Sequence, residues 1–128
     1  MNNEKKSILI ADDEKFVRDQ LKKKLTLEGF VVHEASDGGE AFALAKEKLP
    51  DLIVLDIMMP VFDGLTVLEK IRQEAWGQEM PVIMLTSLNP DEHILKKINT
   101  FKSSYYLVKS DWKLEDIVGK IKERLKDK

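Results

Sequence analysis

Short apolar runs alternate along the chain with stretches whose apolar residues recur every three or four positions. The first kind has the length and composition of a strand and the second the period of an amphipathic helix. "SILIA" (7–11) is the first expected strand. The helix that follows, "EKFVRDQLKKKLTLEG" (14–29), carries Phe16, Val17, Leu21, Leu25 and Leu27 broadly at helical spacing and stops at Gly29. "FVVHEA" (30–35) is a second strand, less apolar and therefore nearer a sheet edge. "SDGGEAFALAKEKLP" (36–50) is a turn and then a helix on Ala41, Leu44 and Ala45, closed by Pro50. "DLIVLD" (51–56) is a strand with the near-continuous apolar interior of one covered on both faces. "GLTVLEKIRQEA" (64–75) is a helix on Leu65, Leu68 and Ile71. "PVIMLTS" (81–87), "PDEHILKKINTF" (90–101), "YYLVKS" (105–110) and "KLEDIVGKIKERLKDK" (113–128) continue the alternation as strand, helix, strand and helix. Five βα units in strict alternation imply an α/β fold, with a parallel sheet, helices on both faces and right-handed crossovers.

Composition narrows the class. The chain has 128 residues, the size of one domain spanning 1–128, and that is long enough to bury a core without staples. It has no cysteine, which excludes disulfides, thiolate metal sites and cysteine catalysis. With 21 basic and 23 acidic residues the net charge is −2, which exerts no broad pull on nucleic acid or on a membrane surface. No apolar run approaches the ~20 residues of a membrane span, and the start has no signal-peptide core. A cytoplasmic protein without direct nucleic-acid binding is the expectation. The lysine-rich last helix carries interspersed acids and reads as a solvated face. His33 and His93 read as solvated or satisfied residues, and Trp76 as packing locally.

The chemistry lies at the strand ends. The first strand ends in Asp12 and Asp13, the third in Asp56, the fourth in Thr86 and Ser87, the fifth in Lys109. All belong to the carboxyl edge of a parallel sheet, where open α/β folds hold their ligands. Taken singly each has a plain reading: Asp12 or Asp13 as a helix cap, Asp56 as a loop residue, Lys109 as a surface lysine, while Thr86 alone is uninformative. Taken together they suggest a site, provided the first and third strands are neighbours. Two carboxylates about 5 Å apart then repel by roughly 3 kcal/mol at an effective dielectric of about 20, so three need a cation or a raised pKa. All-oxygen donors with room for phosphate suit Mg²⁺ better than Ca²⁺. Asp56 can then act as a nucleophile toward phosphorus, with Lys109 and the Thr86 hydroxyl facing the charge on the transferred group.

These segments resemble the receiver domains of two-component response regulators, over Ser7 to about Leu125. "ILIADDEKFVR" resembles the family's opening strand with its acidic pair, and "PDLIVLDIMMPVFDG" its phosphoacceptor segment. "VIMLTS" resembles the strand bearing the switch hydroxyl, and "YYLVKS" the strand with the switch aromatic and the lysine. The resemblance implies a flavodoxin-like doubly wound (βα)5 fold with strand order 2-1-3-4-5. It implies Asp56 as the phosphorylation site, and Asp12, Asp13, Asp56 and the Met58 carbonyl around Mg²⁺. It implies Thr86 and Lys109 on the phosphoryl group and Tyr106 as the rotating aromatic. Ser110 stands where the family usually has proline after the lysine, so a trans peptide bond is expected there.

The implied donor is a histidine kinase or phosphotransfer protein. The implied output is a changed surface on the fourth helix, fifth strand and last helix, with Phe101, Tyr105 and Trp112 near it. Its reader is a downstream protein target or an effector domain, for which these residues leave no room. The expected assembly is a monomer or weak dimer. Such a domain is regulatory and hydrolyses its own phosphoryl group slowly, with the apolar Met58 and Leu88 bordering the water's path. Two other classes compete. A phosphatase-like hydrolase with an aspartate nucleophile needs a second acid two residues on, where Met58 stands. A degenerate receiver that docks without phosphorylation would not need the full set of Asp12, Asp13, Asp56, Thr86 and Lys109.

Overall fold

Strand residues point alternately to the two faces of a sheet, so a strand covered on both sides must be apolar at every position. The computed structural model, which describes residues 5–126, shows this along the interior of its central strands, whose only polar positions are the terminal Ser7 and Thr86. Its elements run β1 (Ser7–Ala11), α1 (Lys15–Leu27), β2 (Val31–Ala35), α2 (Gly38–Lys48), β3 (Leu52–Leu55), α3 (Gly64–Arg72), β4 (Val82–Thr86), α4 (Glu92–Phe101), β5 (Tyr105–Val108) and α5 (Leu114–Lys126). Single 3₁₀ turns occupy Ala75–Gly77 and Lys109–Asp111. Positions 1–4 and 127–128 of the expected domain, the end of its last helix included, lie outside the described residues.

The strands form one parallel sheet in the order β2-β1-β3-β4-β5, the flavodoxin-like arrangement. Leu9 and Ala11 of β1, Ile53 and Leu55 of β3, and Val82 and Met84 of β4 face one layer, built from Ala41, Ala45, Leu65, Leu68, Ile71 and Ile94. The alternate residues Ile8, Ile10, Leu52, Val54, Ile83 and Leu85 face Leu21, Leu25, Ile117, Ile121 and Leu125 of α1 and α5. Each of these large side chains contributes about 1.5–3 kcal/mol by leaving water. The two edge strands are less buried, as the polar positions of β2 predict. Among the described residues no helix is long and apolar enough to cross a membrane.

Four expectations shift. Phe16 and Leu27 of α1 are 74% and 77% exposed; Leu21 and Leu25 carry the buried stripe, with Val17 beside it. Leu44 is only partly buried, beside Ala41 and Ala45. α3 stops at Arg72 although helix-forming residues follow, and the Arg72 side chain reaches over the backbone beyond it: Nη1 donates to the Gly77 carbonyl at 2.7 Å and Nε to the Phe101 carbonyl at 2.7 Å. β5 ends at Val108, so Lys109 opens a 3₁₀ turn. The bond before Ser110 is trans. The Trp76 ring, expected to pack locally, lies 6.0 Å from that of Phe42 on α2, and His93 is exposed.

Candidate functional site

Register brings the acids together. Ala11 pairs with Leu55 at the ends of β1 and β3, so the residues that follow emerge side by side. The Asp56 N–H donates to the Ala11 carbonyl at 2.9 Å and the Asp12 N–H to the Ala35 carbonyl at 3.0 Å, extending the ladder one step past each strand. Asp12 and Asp56 are 2% and 3% exposed, and with Thr86 at 0% they are the buried polar residues among those described. All three lie at the carboxyl edge of the sheet. Burial of a carboxylate is unfavourable without partners, so this concentration at one edge is a feature of the fold that packing does not account for.

Carboxylate oxygens of Asp12, Asp13 and Asp56 lie within 4.8 Å of one another, with Asp13 exposed. At that separation each pair repels by about 3.5 kcal/mol at an effective dielectric of about 20. Lys109 opposes this. Its Nζ sits 2.8 Å from Asp12 Oδ2, 3.1 Å from Asp56 Oδ2 and 2.6 Å from Glu14 Oε1. Burial pulls this ammonium toward neutrality, but the hydrogen bonds to Asp12 and Glu14 and the charge of Asp56 outweigh it and hold its pKa above the ordinary lysine value. Burial pushes the Asp12 carboxyl upward, more than the bonds from Lys109 and the Glu14 N–H pull it down, and Asp56 pushes it the same way. Three carboxylates against one ammonium leave a negative, all-oxygen cluster, whose donor set fits a hard divalent ion.

Neither acid of the pair caps α1. The N-cap is Glu14, without a side-chain cap, while Asp12 Oδ1 accepts the Glu14 N–H at 2.9 Å. The Asp12 carbonyl is held by Arg18 Nη1 at 2.8 Å. After β3, Asp56 Oδ1 accepts the Met58 N–H at 3.2 Å, and the Met58 side chain is exposed. The Asp63–Gly64 pair serves the same segment. Asp63 caps α3 by accepting the Thr66 N–H at 2.9 Å. Gly64 lies so close that a Cβ there would fall 2.1 Å from the Asp56 carbonyl oxygen.

On the other side, Thr86 ends β4 and its Oγ1 accepts the Leu88 N–H at 3.5 Å. Tyr106 pairs with Met84 in the ladder, and its hydroxyl donates to the Leu88 carbonyl at 2.8 Å. Burial, with the charges of Asp91 and Asp56, raises the Tyr106 phenol, so it stays a donor across ordinary pH. Thr86 and Tyr106 therefore meet through the backbone of one loop residue.

A family model described as the response regulator receiver domain matches residues 8–122. The chain belongs to that family. It is 36% identical over 121 residues to the DNA-binding dual master transcriptional regulator RpaA of Synechocystis, covering 93% of this chain and 48% of the relative. It is 43% identical over 88 residues to a probable transcriptional regulator, ycf27, of Porphyra purpurea, covering 69% of this chain and 35% of the relative. The chain thus spans about a third to a half of the length of the curated relatives it matches. A CheY-like receiver domain protein from Methanospirillum hungatei superposes with a TM-score of 0.88 at 29% identity, over 97% of this chain and 96% of that one.

The receiver also holds two residues that sequence reasoning did not single out, Glu14 and Arg18. Glu14 is a third carboxylate on Lys109, and its only sign was its place directly after the acidic pair. Arg18, on the Asp12 carbonyl, had no sign beyond being a cation in the first helix.

Proposed function

We propose that this receiver is a phosphorylation-controlled switch in which Asp56 accepts a phosphoryl group from a histidine kinase or phosphotransfer protein. The single observation that carries the reading is the burial of Asp12, Asp56 and Thr86 at one sheet edge, with the Lys109 ammonium in contact with both acids. An Asp56 carboxylate oxygen attacks phosphorus, the bond from phosphorus to the donor imidazole nitrogen breaks, and the imidazole leaves with the electron pair. Asp12, Asp13, Asp56 and the Met58 carbonyl would hold Mg²⁺, which supplies neutralising charge to the phosphoryl oxygens when bound. Lys109 neutralises further charge as a compact ammonium, and the Thr86 hydroxyl donates to a remaining oxygen.

Loss of the group requires water to attack phosphorus on the open side of Asp56. Met58 and Leu88 flank that side with side chains that cannot orient water, and a long-lived phosphorylated state follows. Its disappearance within seconds of donor removal would count against this reading.

The output depends on a differential interaction with two arrangements. In the arrangement described, the Tyr106 hydroxyl is tied to the Leu88 carbonyl. Movement of Thr86 toward a phosphoryl group displaces that loop and frees the Tyr106 ring to turn. The surface of α4, β5 and α5 changes with it. This surface presents exposed Leu95, and Lys120 lies 5.0 Å and 5.7 Å from the rings of Tyr105 and Trp112. Its reader is a protein target or an effector domain; the curated relatives named as transcriptional regulators favour the second.

Intact-mass analysis after incubation with a small acyl-phosphate donor and Mg²⁺ tests the proposal. One phosphoryl group should appear on the wild type and none on Asp56→Asn. Absence of a mass gain on the wild type would favour a docking receiver that works unphosphorylated.

A further inference from the structure

At the opposite end of the sheet, under the amino-terminal ends of β4 and β5, lies a second concentration of charge of the other sign. A cavity of about 210 Å³ is lined there by Arg72, Glu79, Lys102, Ser104 and Arg124, with Gln78 and Met80. Three cations and one carboxylate face it, in a chain whose net charge is −2. Among the described residues Arg72, Lys102 and Arg124 form no ion pair within 4.0 Å, although most other charged clusters of the fold do. The two guanidiniums lie near enough that Arg124 disfavours the charge on Arg72, an effect that Glu79 opposes; both are smaller than the cost of Arg72's own burial.

The donors are held in place. Arg72 gives Nε to the Phe101 carbonyl at 2.7 Å, Nη1 to the Gly77 carbonyl at 2.7 Å and Nη2 to the Lys102 carbonyl at 3.0 Å, which fixes its plane. Arg124 gives Nε to Ser104 Oγ at 2.9 Å, so its terminal nitrogens remain for another acceptor. Arg72 and Arg124 thus stand side by side at the ends of α3 and α5, around a space whose one carboxylate, Glu79, forms no ion pair with either among the described residues. The space is several times the roughly 30 Å³ share of one liquid water, and below the roughly 300 Å³ at which drug-sized pockets begin. Planar guanidinium forks match the oxygens of phosphate-like groups.

We propose that this cavity is a binding site for a tetrahedral oxyanion, of the size of inorganic phosphate or sulfate or the phosphoryl end of a small monoester. The site stands apart from Asp56 and does not depend on the switch reading.

Amide NMR titration of the metal-free protein at pH 7 and fixed ionic strength tests it. The probes are sodium phosphate, sodium sulfate, a simple alkyl phosphate monoester and sodium chloride. Saturable shifts are expected at Gln78, Glu79, Lys102 and Ser104 with the oxyanions and not with chloride. The monoester separates a free-ion site, which would reject it, from one that takes a phosphoryl group on a larger molecule. Arg124→Gln should weaken binding at least tenfold, Lys102→Gln severalfold, and Glu79→Gln should tighten it severalfold. Lys102 and Glu79 are exposed, so those two variants keep the test decisive should Arg124→Gln not fold. Shifts equal for chloride and phosphate, no saturation, or affinity unchanged in the variants would overturn the assignment and leave an ordinary solvated crevice.

Discussion

Replacing Lys109 with methionine isolates the electrostatics of the acidic corner, because the stem keeps its volume and only the charge is lost. The side chain is 14% exposed, with its ammonium 2.8 Å from Asp12 and 3.1 Å from Asp56. At an effective dielectric of about 20 each contact is a gross attraction of about 5–6 kcal/mol. The three carboxylate pairs, within 4.8 Å, repel by about 10 kcal/mol in total on the same footing. The contacts with Asp12 and Asp56 thus offset much of the repulsion among the three aspartates, and the substitution leaves that repulsion uncompensated. The repulsion released by the substitution is nevertheless capped. A carboxyl can escape it by taking up a proton, which at pH 7 costs about 1.4 kcal/mol for each of roughly three pH units above its ordinary pKa, or about 4 kcal/mol. Lys109→Met should therefore lose about 2–4 kcal/mol of metal-free stability at pH 7, and less than about 2 kcal/mol at pH 5, where the proton is easier to gain. Because the ammonium occupies the same oxygens that would hold a cation, the variant should also bind Mg²⁺ about tenfold more tightly, by linkage. Urea unfolding in EDTA at the two pH values, followed by tryptophan fluorescence, measures the first effect; a Mg²⁺ titration measures the second. Equal stability at pH 7, or a loss that does not shrink on acidification, would show that the lysine does not neutralise these acids.

Three further outcomes follow from the same geometry. Asp12 has a raised pKa in the fold, so its contribution to stability is fully present below the ordinary carboxylate value and is lost as pH rises through the raised value. In EDTA, Asp12→Asn should thus gain on the wild type as pH increases above about 4 in denaturant midpoints, while its Mg²⁺ affinity falls. Gly64→Ala places a Cβ 2.1 Å from the Asp56 carbonyl oxygen, and the backbone has to move. About 2–3 kcal/mol of stability should be lost, and phosphoryl uptake measured by intact mass should slow in the fraction that folds. Tyr106→Phe removes the hydroxyl held by the Leu88 carbonyl. It should cost about 1 kcal/mol in urea unfolding and perturb the Leu88 and Asn89 amides, with Asp56 still phosphorylated.

Hydrophobic period alone was enough for the α/β layering, because β3 is apolar at every position and β1 and β4 at all but the terminal Ser7 and Thr86, and only a strand packed on both faces needs that. It also placed Asp12, Asp56 and Thr86 at strand ends, since a strand stops where its apolar run stops. It could not say how wide a helix's buried stripe is. Phe16 and Leu27 have helical spacing and are solvent-exposed, because which side of α1 meets the sheet depends on α5 beside it. Strand order was not written in the alternation either; it came with the resemblance. The meeting of Asp12, Asp13 and Asp56 needed β1 beside β3 in the register that pairs Ala11 with Leu55. What only the tertiary structure decided is where long side chains reach. Lys109 turns out of a 3₁₀ turn to Glu14, far away in the chain, and Arg72, the last residue of α3, holds the Phe101 carbonyl at the end of α4. Local pattern encodes burial residue by residue, whereas these contacts depend on distances between elements that no single segment carries.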